Sequence, residues 1–344
     1  MHQPVISVIM PLYNGRPYVV AAIESVLQQR FMDWELLVID DGSTDGGPEL
    51  VRTTFVDPRI RLLANPNNRG VAYTRNVGIA AARGEFLAWL DCDDLITPDR
   101  LQAQLDYLHE HPELGACGSW IQRFGSGKEV STQLPKSPEI IRGLLLFTPI
   151  VPNATVMLRL KLVEKLGLRY DESLPIAEDY DFVLRCSQHF PIGIIPRILY
   201  RYRVTENSLT QRLDTEEEAA FAISKVVHGR ALERFGMQVN EEELRTHRIL
   251  NSDLLFATFS QYRAALSWLL LLLRHNEKHK IYDPAAFRRV GANRFYFISK
   301  KASSFGIRTL IFYVRNAVAH NLLYLSPAPL AKFVFRCLIR YDKF

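Results

Sequence analysis

The chain has 344 residues, of which 48% are hydrophobic and 23% are charged, and its formal net charge is +5. This composition excludes a disordered or collagen-like chain and suffices for one or two globular domains. The four cysteines are widely spaced and form no CxxC pair, which argues against a zinc knuckle or a disulfide framework and indicates a reducing, cytoplasmic setting. No basic leader with a long apolar segment is present, so we expect neither a secretion signal nor a membrane-spanning helix.

The charge is unevenly distributed along the chain. Residues 1–200 contain 19 Lys and Arg against 24 Asp and Glu, a net charge of −5, whereas residues 245–344 contain 17 against 4, a net charge of +13. A basic C-terminal region predicts contact with an anionic partner. Because no recognised nucleic-acid motif accompanies the charge, we expect an anionic membrane surface and no nucleic acid.

Strands alternate with helices in the first part of the chain. Apolar runs that predict strands lie at 5–11, 34–40, 59–65 and 85–91. Helical repeats lie at 17–29 and 70–84. This pattern is typical of a Rossmann-like α/β fold with a mostly parallel sheet and helices on both faces. Such sheets bind ligands beyond the carboxyl ends of their strands. The candidate residues at these strand ends are Pro11 to Tyr13, Asp40, Asp41, Asp91 and Asp93.

The stretch "FLAWLDCDD", residues 86–94, ends a buried strand with three carboxylates, Asp91, Asp93 and Asp94. Carboxylates this close repel one another and resist desolvation, so we expect a cation beside them. Mn²⁺ or Mg²⁺ would suit the site because these ions take carboxylate oxygens and leave positions open for substrate phosphates. The alternative is a set of solvated acids at a helix N-terminus, since "DDLITPDRL" leads into a helix.

No glycine-rich phosphate loop is present. The first strand is followed by "LYNGRPY" rather than GxGxxG, and "GSGK" at 125–128 lacks the earlier glycine of a P-loop. A nucleotide would therefore be held by carboxylates and a metal ion, with Asp40 accepting a hydrogen bond from a base or a ribose hydroxyl.

The later part of the chain changes from mixed to helical patterns. Strands are predicted at 114–124, 153–159 and 192–202, with a helix at 137–147, and from about residue 212 every pattern is helical. In the last segment, Lys332, Arg336 and Arg340 repeat at four-residue steps beside an apolar face, which indicates a basic amphipathic helix on a membrane surface. The alternative is a helix packed on the rest of the protein. The apolar residues expected to enter the lipid are Phe333, Phe335 and Leu338.

Five stretches resemble, in order, the successive blocks of glycosyltransferase family 2: "VISVIMPLYNG", "SVLQQRFMDWELLVIDDGSTD", "NRGVAYTRNVGIAAARGEFLAWLDCDD", "PNATVMLRLKLVEKLGLRYDESLPIAEDYDFVLR" and "PRILYRYRVTENSLT". The likeness covers about the first 210 residues and extends to bacterial polysaccharide-synthesis enzymes. The resemblance implies an inverting enzyme of GT-A fold that uses a Mn²⁺ or Mg²⁺ ion. The implied donor is a nucleotide-diphosphate sugar, with a UDP-sugar favoured. The implied acceptor is a hydroxyl of a saccharide, which could be linked to a lipid.

The resemblance also implies a domain division. A GT-A catalytic domain would occupy residues 1–211, with a nucleotide-sugar half at about 1–97 and an acceptor half at about 98–211. A helical, basic region would occupy residues 212–344. Such an enzyme would act in the cytoplasm, where the basic helices could hold it on the cytoplasmic face of the membrane.

The family's motifs fall on individual residues of this chain. The DXD motif corresponds to Asp91 and Asp93, which implies that they bind the metal, with Asp91 at the metal or the ribose. The catalytic base corresponds to Asp179 of "EDYD". The implied nucleoside contacts are Pro11, Tyr13 and Asp40.

The chemistry of transfer also asks for a carboxylate away from the metal, because the acceptor hydroxyl must lose its proton on the opposite face of the sugar. Asp179 opens a predicted helix together with Glu178 and Asp181, and such crowding would raise their pKa values. The alternative is that these acids only decorate a helix N-terminus and that Asp181 pairs with Arg185 four residues on. We favour the ion pair for Asp181 and the catalytic role for Asp179.

Three further positions leave alternatives open. Arg69 and Arg75 flank the loop and helix before the acidic strand, where they could reach nucleotide phosphates or lie solvated. Family members commonly carry a His where this chain has Thr205, so a third ligand for the metal would have to be this threonine or water.

Two other classes of protein also remain: a sugar-nucleotide nucleotidyltransferase, which would usually have a basic glycine-rich loop after the first strand, and a non-catalytic glycan-binding protein.

Overall fold

A computed structural model of the chain describes residues 3–125, 127, 129–205, 217–252, 254–323 and 327–341. The chain divides into two compact units, the first comprising Met1–Ile141 and Pro149–Thr215 and the second Arg142–Thr148 and Glu216–Phe344. The boundary predicted between residues 211 and 212 lies outside the described residues. The sequence did not indicate that the short segment 142–148 joins the second unit.

The first unit contains one sheet of nine strands within the described residues. The strands are β1 Ile6–Leu12, β2 Trp34–Asp40, β3 Ile60–Ala64, β4 Phe86–Trp89, β5 Leu95–Ile96, β6 Ala116–Phe124, β7 Val130–Thr132, β8 Met157–Arg159 and β9 Ile192–Arg203. Their order is β3-β2-β1-β4-β8-β6-β9-β5, with β7 paired to β6.

The helices of the first unit are α1 Val19–Leu27, α2 Gly47–Thr54, α3 Val71–Ala81, α4 Arg100–Glu110, α5 Pro138–Leu144, α6 Leu160–Lys165 and α7 Glu178–His189, and α5 continues into the second unit. The helices of the second unit are α8 Glu217–Arg234, α9 Glu241–Ile249, α10 Phe259–His279, α11 Pro284–Lys301, α12 Ile307–Ala319 and α13 Pro327–Leu338. Short 3₁₀ helices lie at Asn153–Thr155 and Ala302–Phe305.

The sheet is parallel in its first half and mixed in its second. Strand β1 pairs in parallel with β2 and β4, and β2 pairs in parallel with β3. Beyond β4, strand β8 is antiparallel to both β4 and β6, β9 is parallel to β6, and β5 is antiparallel to β9. The expectation of a mostly parallel sheet is confirmed, since the longer pairings are parallel. The antiparallel pairings involve the short strands β5, β7 and β8, which can join a sheet without the crossover helix that parallel pairing requires.

Helices cover both faces of the sheet, as predicted. On one face, Val8 and Met10 of β1 share a buried core with Ile23 of α1. On the other face, Gly78 of α3 lies so close to β1 that an added Cβ would be 2.4 Å from Cγ2 of Ile9. The alternation of side chains along β1 thus gives each face its own apolar layer, and the carboxyl ends of the parallel strands remain uncovered for a site.

Two buried histidines hold the segment 142–148 in the second unit. Nε2 of His228 donates to the carbonyl oxygen of Phe147 (3.1 Å), and Nε2 of His247 donates to that of Leu146 (2.9 Å). Nδ1 of His247 accepts from Nε1 of Trp268 (3.1 Å), which fixes the neutral tautomer. Burial lowers the pKa of His228 to about 3 and that of His247 to about 4.

The structure corrects part of the prediction for the last helix. Phe333 is fully buried, with its ring 5.2 Å from that of Tyr313, so it cannot enter lipid. Arg340 lies beyond the end of α13 in the left-handed region (φ 51°), so the four-residue spacing of cations does not continue to it on the helix. Phe335 and Leu338 are exposed, as expected. Among the described helices, none has the length and apolar content needed to cross a bilayer.

Candidate functional site

A cavity of about 1000 Å³ lies beside the segments that follow β1 and β4. Its walls include four of the predicted site residues as well as Thr205. Asp41, which the sequence placed at the end of a strand, lines it too, as do Tyr18 and Arg203, which the sequence analysis did not select. The four predicted residues are Pro11, Tyr13, Asp91 and Asp93.

The three carboxylates after β4 have different surroundings. Asp94 is buried; its Oδ2 accepts from the hydroxyl of Tyr200 (2.7 Å), and its Oδ1 accepts from the backbone N–H of Arg203 (2.6 Å). The same hydroxyl accepts from the backbone N–H of Asp91 (3.2 Å). Asp94 therefore fastens the acidic loop to β9, while Asp91 and Asp93 line the cavity.

The surroundings of the acidic loop raise the pKa values of two of its carboxyl groups. Burial, followed by the charge of Asp91, raises the pKa of Asp93 to about 6. Burial and the two neighbouring carboxylates also raise the pKa of Asp94. Arg203 offsets part of this effect, and its Nε donates to the carbonyl oxygen of Asp93 (2.7 Å). A cation beside Asp93 would stabilise its ionised form.

The residues present fit a divalent cation in part. Asp91 and Asp93 supply hard oxygen donors at the cavity wall, and the hydroxyl-bearing Thr205 lies on the same wall. Within the ranges that the structure describes, no group of three His, Cys, Asp or Glu side chains is arranged to hold a metal. A Mg²⁺ or Mn²⁺ ion bound here would complete its shell with water and substrate oxygens, as Mg²⁺ often does.

Arg75 connects the acidic loop to the start of α7. It is buried; its Nη2 donates to Oδ1 of Asp91 (3.1 Å) and its Nη1 to Oε1 of Glu178 (2.7 Å). Burial alone would lower the pKa of this guanidinium. The charge of Asp91, followed by contributions from Tyr170, Glu178 and Asp179, outweighs burial and raises that pKa above its ordinary value. The alternative of a solvated Arg75 is therefore wrong.

Asp179 lies in the first turn of α7, after Ala177, which adopts a left-handed conformation (φ 64°). It does not line the cavity, although Pro175 just before this helix does. The predicted ion pair forms between Oδ2 of Asp181 and Nε of Arg185 (2.7 Å). For Glu178, burial raises the pKa and the charge of Asp179 adds to the effect, while Arg75 opposes it.

The remaining predicted residues lie near the cavity without lining it. Oδ1 of Asp40 accepts from the backbone N–H of Ser43 (2.9 Å), which closes the turn after β2. The exposed guanidinium of Arg69 lies over the ring of Tyr73. The neighbouring Asp41 is buried and accepts from the backbone N–H groups of Arg69 and Gly70 (2.9 Å each), so Asp41 orders the loop at the cavity wall.

Sequence reasoning missed Arg203 and Tyr200, which position the acidic loop. The sequence signal for them was the stretch "LYRYR", in which tyrosine and arginine alternate at the end of a predicted strand. That signal is weak, because it does not reveal that β9 lies close enough to the acidic loop for these contacts.

A sheet covered by helices on both faces, with an acidic cavity at the ends of its parallel strands, is characteristic of α/β enzymes that bind nucleotides. The model of the family described as "Glycosyl transferase family 2" matches residues 7–167. These residues belong to that family, so the predicted family and the GT-A fold class are confirmed.

One relative and two solved structures extend the comparison. Over 305 residues the chain is 29% identical to the succinoglycan biosynthesis protein ExoO of Rhizobium meliloti, covering 83% of this chain and 84% of the relative. TarS of S. aureus in complex with UDP-GlcNAc superposes with a TM-score of 0.59 at 19% identity, over 93% of each chain. The mannosyltransferase PcManGT of Pyrobaculum calidifontis in complex with GDP-Man and Mn²⁺ superposes with a TM-score of 0.53 at 17% identity, over 100% of this chain and 89% of that one. At these identities the two solved structures show the fold alone.

Proposed function

We propose that this protein is an inverting, metal-dependent glycosyltransferase that moves a sugar from a nucleotide-diphosphate sugar to a saccharide hydroxyl in cell-surface polysaccharide synthesis. The observation that carries the proposal is the cavity at the ends of β1 and β4, whose wall includes Asp91 and Asp93 within a family 2 domain. Support also comes from neighbours of the same fold that bind UDP-GlcNAc or GDP-Man with Mn²⁺, and from the relative named for succinoglycan biosynthesis. We favour a UDP-sugar as the donor.

On the donor side, Asp91 and Asp93 hold the metal, with Thr205 or water as a further ligand. A bound Mn²⁺ or Mg²⁺ ion supplies charge stabilisation to the departing diphosphate. The nucleoside contacts are Pro11, Tyr13 and Asp40. Arg69 acts on the diphosphate directly, while Arg75 acts through the Asp91 carboxylate that it orients.

On the acceptor side, Asp179 accepts the proton of the attacking hydroxyl. The charge of Asp179 reaches the buried Arg75, whose guanidinium also binds Asp91. Arg75 binds Asp91 and Glu178, so the acidic loop and the first turn of α7, which carries Asp179, are joined through this guanidinium.

A donor screen tests the proposal. The full chain is incubated with UDP-, GDP- and dTDP-sugars in Mn²⁺, and slow release of the nucleoside diphosphate is measured. We expect release from one donor class, its loss in EDTA, and its loss in Asp93→Ala, because a single carboxylate cannot retain the metal-diphosphate. The matched control Asp106→Ala removes an exposed acid of α4 and should leave release unchanged.

The screen also separates the alternative classes. A nucleotidyltransferase would instead release pyrophosphate from a nucleoside triphosphate and a sugar phosphate, and a glycan-binding protein would release nothing. Release that persists undiminished in both EDTA and Asp93→Ala would contradict the metal assignment.

We also propose that the second unit docks on an anionic membrane surface, where a lipid-linked saccharide can present its hydroxyl. Helix α12 exposes an apolar row on one face, and α13 exposes Phe335 and Leu338. Residues 284–341 contain ten Lys and Arg and no Asp or Glu, so the segment that carries these apolar surfaces is itself basic. This combination is complementary to the cytoplasmic face of a bilayer. The apolar row of α12 consists of Ile307, Ile311, Val314 and Val318.

A further inference from the structure

Asn76 of α3 follows Arg75 in the sequence, but its side chain binds a different segment of the chain. Its Nδ2 donates to the backbone carbonyl oxygen of Tyr170 (2.9 Å), and its Oδ1 accepts from the backbone N–H of the same residue (2.8 Å). Nδ2 also donates to Oε1 of Glu172 (3.0 Å), an exposed residue. A single amide therefore satisfies both backbone polar groups of Tyr170, as an adjacent strand would do in a sheet.

Tyr170 is buried, and its side chain carries this attachment to α7. Its ring stacks on that of Phe182 in α7, with 4.1 Å between the centroids and 13° between the planes. The Tyr170 hydroxyl donates to Oδ1 of Asn153 (2.8 Å), and the ring meets Trp89 edge-on (5.4 Å). Trp89 is the last residue of β4. The ring of Tyr170 thus lies between the strand that precedes the acidic loop and the helix that carries Asp179.

Helix α3 holds the segment between α6 and α7 at two places. Asn76 binds Tyr170 in the first part of that segment, and Arg75 binds Glu178 at its end (2.7 Å). Between these two attachments lies Pro175, which lines the cavity. Holding both ends restricts the backbone of the residues between them. Two adjacent side chains of α3 therefore fix the path by which the chain enters α7.

The proposed transfer requires the Asp179 carboxylate to be within hydrogen-bond reach of the acceptor hydroxyl. Asp179 lies in the first turn of α7, between Glu178 and Phe182, and both of these neighbours are tied to α3. We propose that Asn76 is a positioning residue, which sets the place of the Asp179 carboxylate through Tyr170 and the first turn of α7. This inference rests on the proposed function, which assigns the proton of the acceptor to Asp179.

Hydrogen exchange and transfer kinetics of the full chain together test the proposal. Asn76→Ala removes the three hydrogen bonds of this amide, so the backbone amides of residues 178–181 should exchange faster than in the wild type. Turnover should fall about 10- to 100-fold, the scale of a misplacement of about 1 Å. The donor KM and the affinity for UDP with Mn²⁺ should stay unchanged, because Asp91 and Asp93 keep their contacts. A general loss of folding would not give this split between turnover and KM.

A second variant and a control complete the test. Asn76→Asp keeps the acceptor for the N–H of Tyr170 and loses the donor, so it should lower turnover less than Asn76→Ala and is the variant to use if the alanine variant does not fold. The matched control Glu172→Ala removes only the exposed partner of Asn76, and it should leave exchange and turnover unchanged.

Two results with an active wild type would overturn this inference alone. One is unchanged exchange at residues 178–181 in both Asn76 variants. The other is faster exchange with the turnover of the wild type. A wild type that transfers a sugar from no donor would overturn the proposed function, and the role of Asn76 with it.

Discussion

The three acids at the start of α7 differ in what already binds them. Oε1 of Glu178 accepts from Arg75, and Oδ2 of Asp181 accepts from Arg185, each at 2.7 Å. The Oδ1 of Asp179 accepts from the adjacent backbone N–H of Tyr180. Two of the three carboxylates are thus engaged in ion pairs with arginine, which supports Asp179 as the acid that receives a proton from the acceptor.

Asp179→Asn should keep the affinity for the donor and lower turnover by about 10²-fold or more, the usual scale for the loss of a general base. Both quantities can be measured, by donor titration and by steady-state transfer to an acceptor. The matched variant Glu178→Gln breaks a buried ion pair instead, so it should lower the free energy of unfolding and raise the donor KM. Unchanged turnover in Asp179→Asn would move the catalytic role elsewhere.

At the scale of secondary-structure elements, two helical glycines offer a contrast. Gly78 of α3 faces β1, where an added Cβ would be 2.4 Å from Ile9 and 3.1 Å from Ile39. Gly229 of α8 has no atom within 4 Å of an added Cβ. Gly78→Ala should therefore destabilise the protein by about 1–3 kcal/mol through overpacking. Gly229→Ala should stabilise it by about 0.5–1 kcal/mol through helix propensity. Chemical denaturation measures both, and a stabilised Gly78→Ala would contradict the close packing of α3 on β1.

The buried histidines predict how the stability of the second unit depends on pH. His228 and His247 have folded pKa values lowered by burial to about 3 and about 4. The unfolded chain takes up protons at about pH 6.5 and the folded chain does not. Their contribution is therefore fully present above pH 6.5 and is lost as pH falls toward 4, at up to roughly 1.4 kcal/mol per histidine per pH unit.

Denaturant unfolding at pH 7 and pH 5, followed by circular dichroism, measures this slope. His228→Gln should reduce the loss of stability between the two pH values by about half, because one of the two titrations is removed. His320→Gln, at an exposed position after α12, is the matched control and should keep the full slope. Equal slopes in the wild type and His228→Gln would rule out the proposed linkage.

At the scale of the whole molecule, exposed apolar residues and positive charge coincide in the second unit. Ile311 and Val318 of α12 are each 62% exposed, on a stretch with no acidic residue. Flotation should show salt-sensitive binding to phosphatidylcholine vesicles that contain phosphatidylglycerol. Binding to vesicles that lack phosphatidylglycerol should be weak, because each basic residue contributes about 1 kcal/mol only near an anionic surface. Ile311→Asn/Val318→Asn should lower the bound fraction.

Val56→Asn provides the control for flotation, since Val56 is an apolar residue of the first unit that is 94% exposed. It should float like the wild type. Equal flotation of the double variant and the wild type, or no flotation at low salt, would show that the surface of α12 does not contact lipid.

The sequence by itself was sufficient to predict the strands and helices around the site and the acidic character of the site. The apolar runs and the helical patterns predicted β1 to β4 with α1 and α3, because these patterns arise from local backbone geometry and the burial of neighbouring side chains. The position of Asp91 and Asp93 at a strand tip followed from the same patterns. The block resemblance indicated the family, and the spacing of Asp181 and Arg185 predicted an ion pair within a single helix.

Tertiary structure alone decided which partner each polar side chain meets. Arg75 binds Glu178, 103 positions away, and Tyr200 binds Asp94, 106 positions away, so no local pattern could assign Asp94 to the scaffold and Asp93 to the cavity. Phe333 was predicted to enter lipid, but its burial depends on Tyr296 and Tyr313 in other helices. Local sterics restrict the backbone within a few residues, whereas hydrogen bonds and packing across the chain form only when the whole fold brings distant residues together.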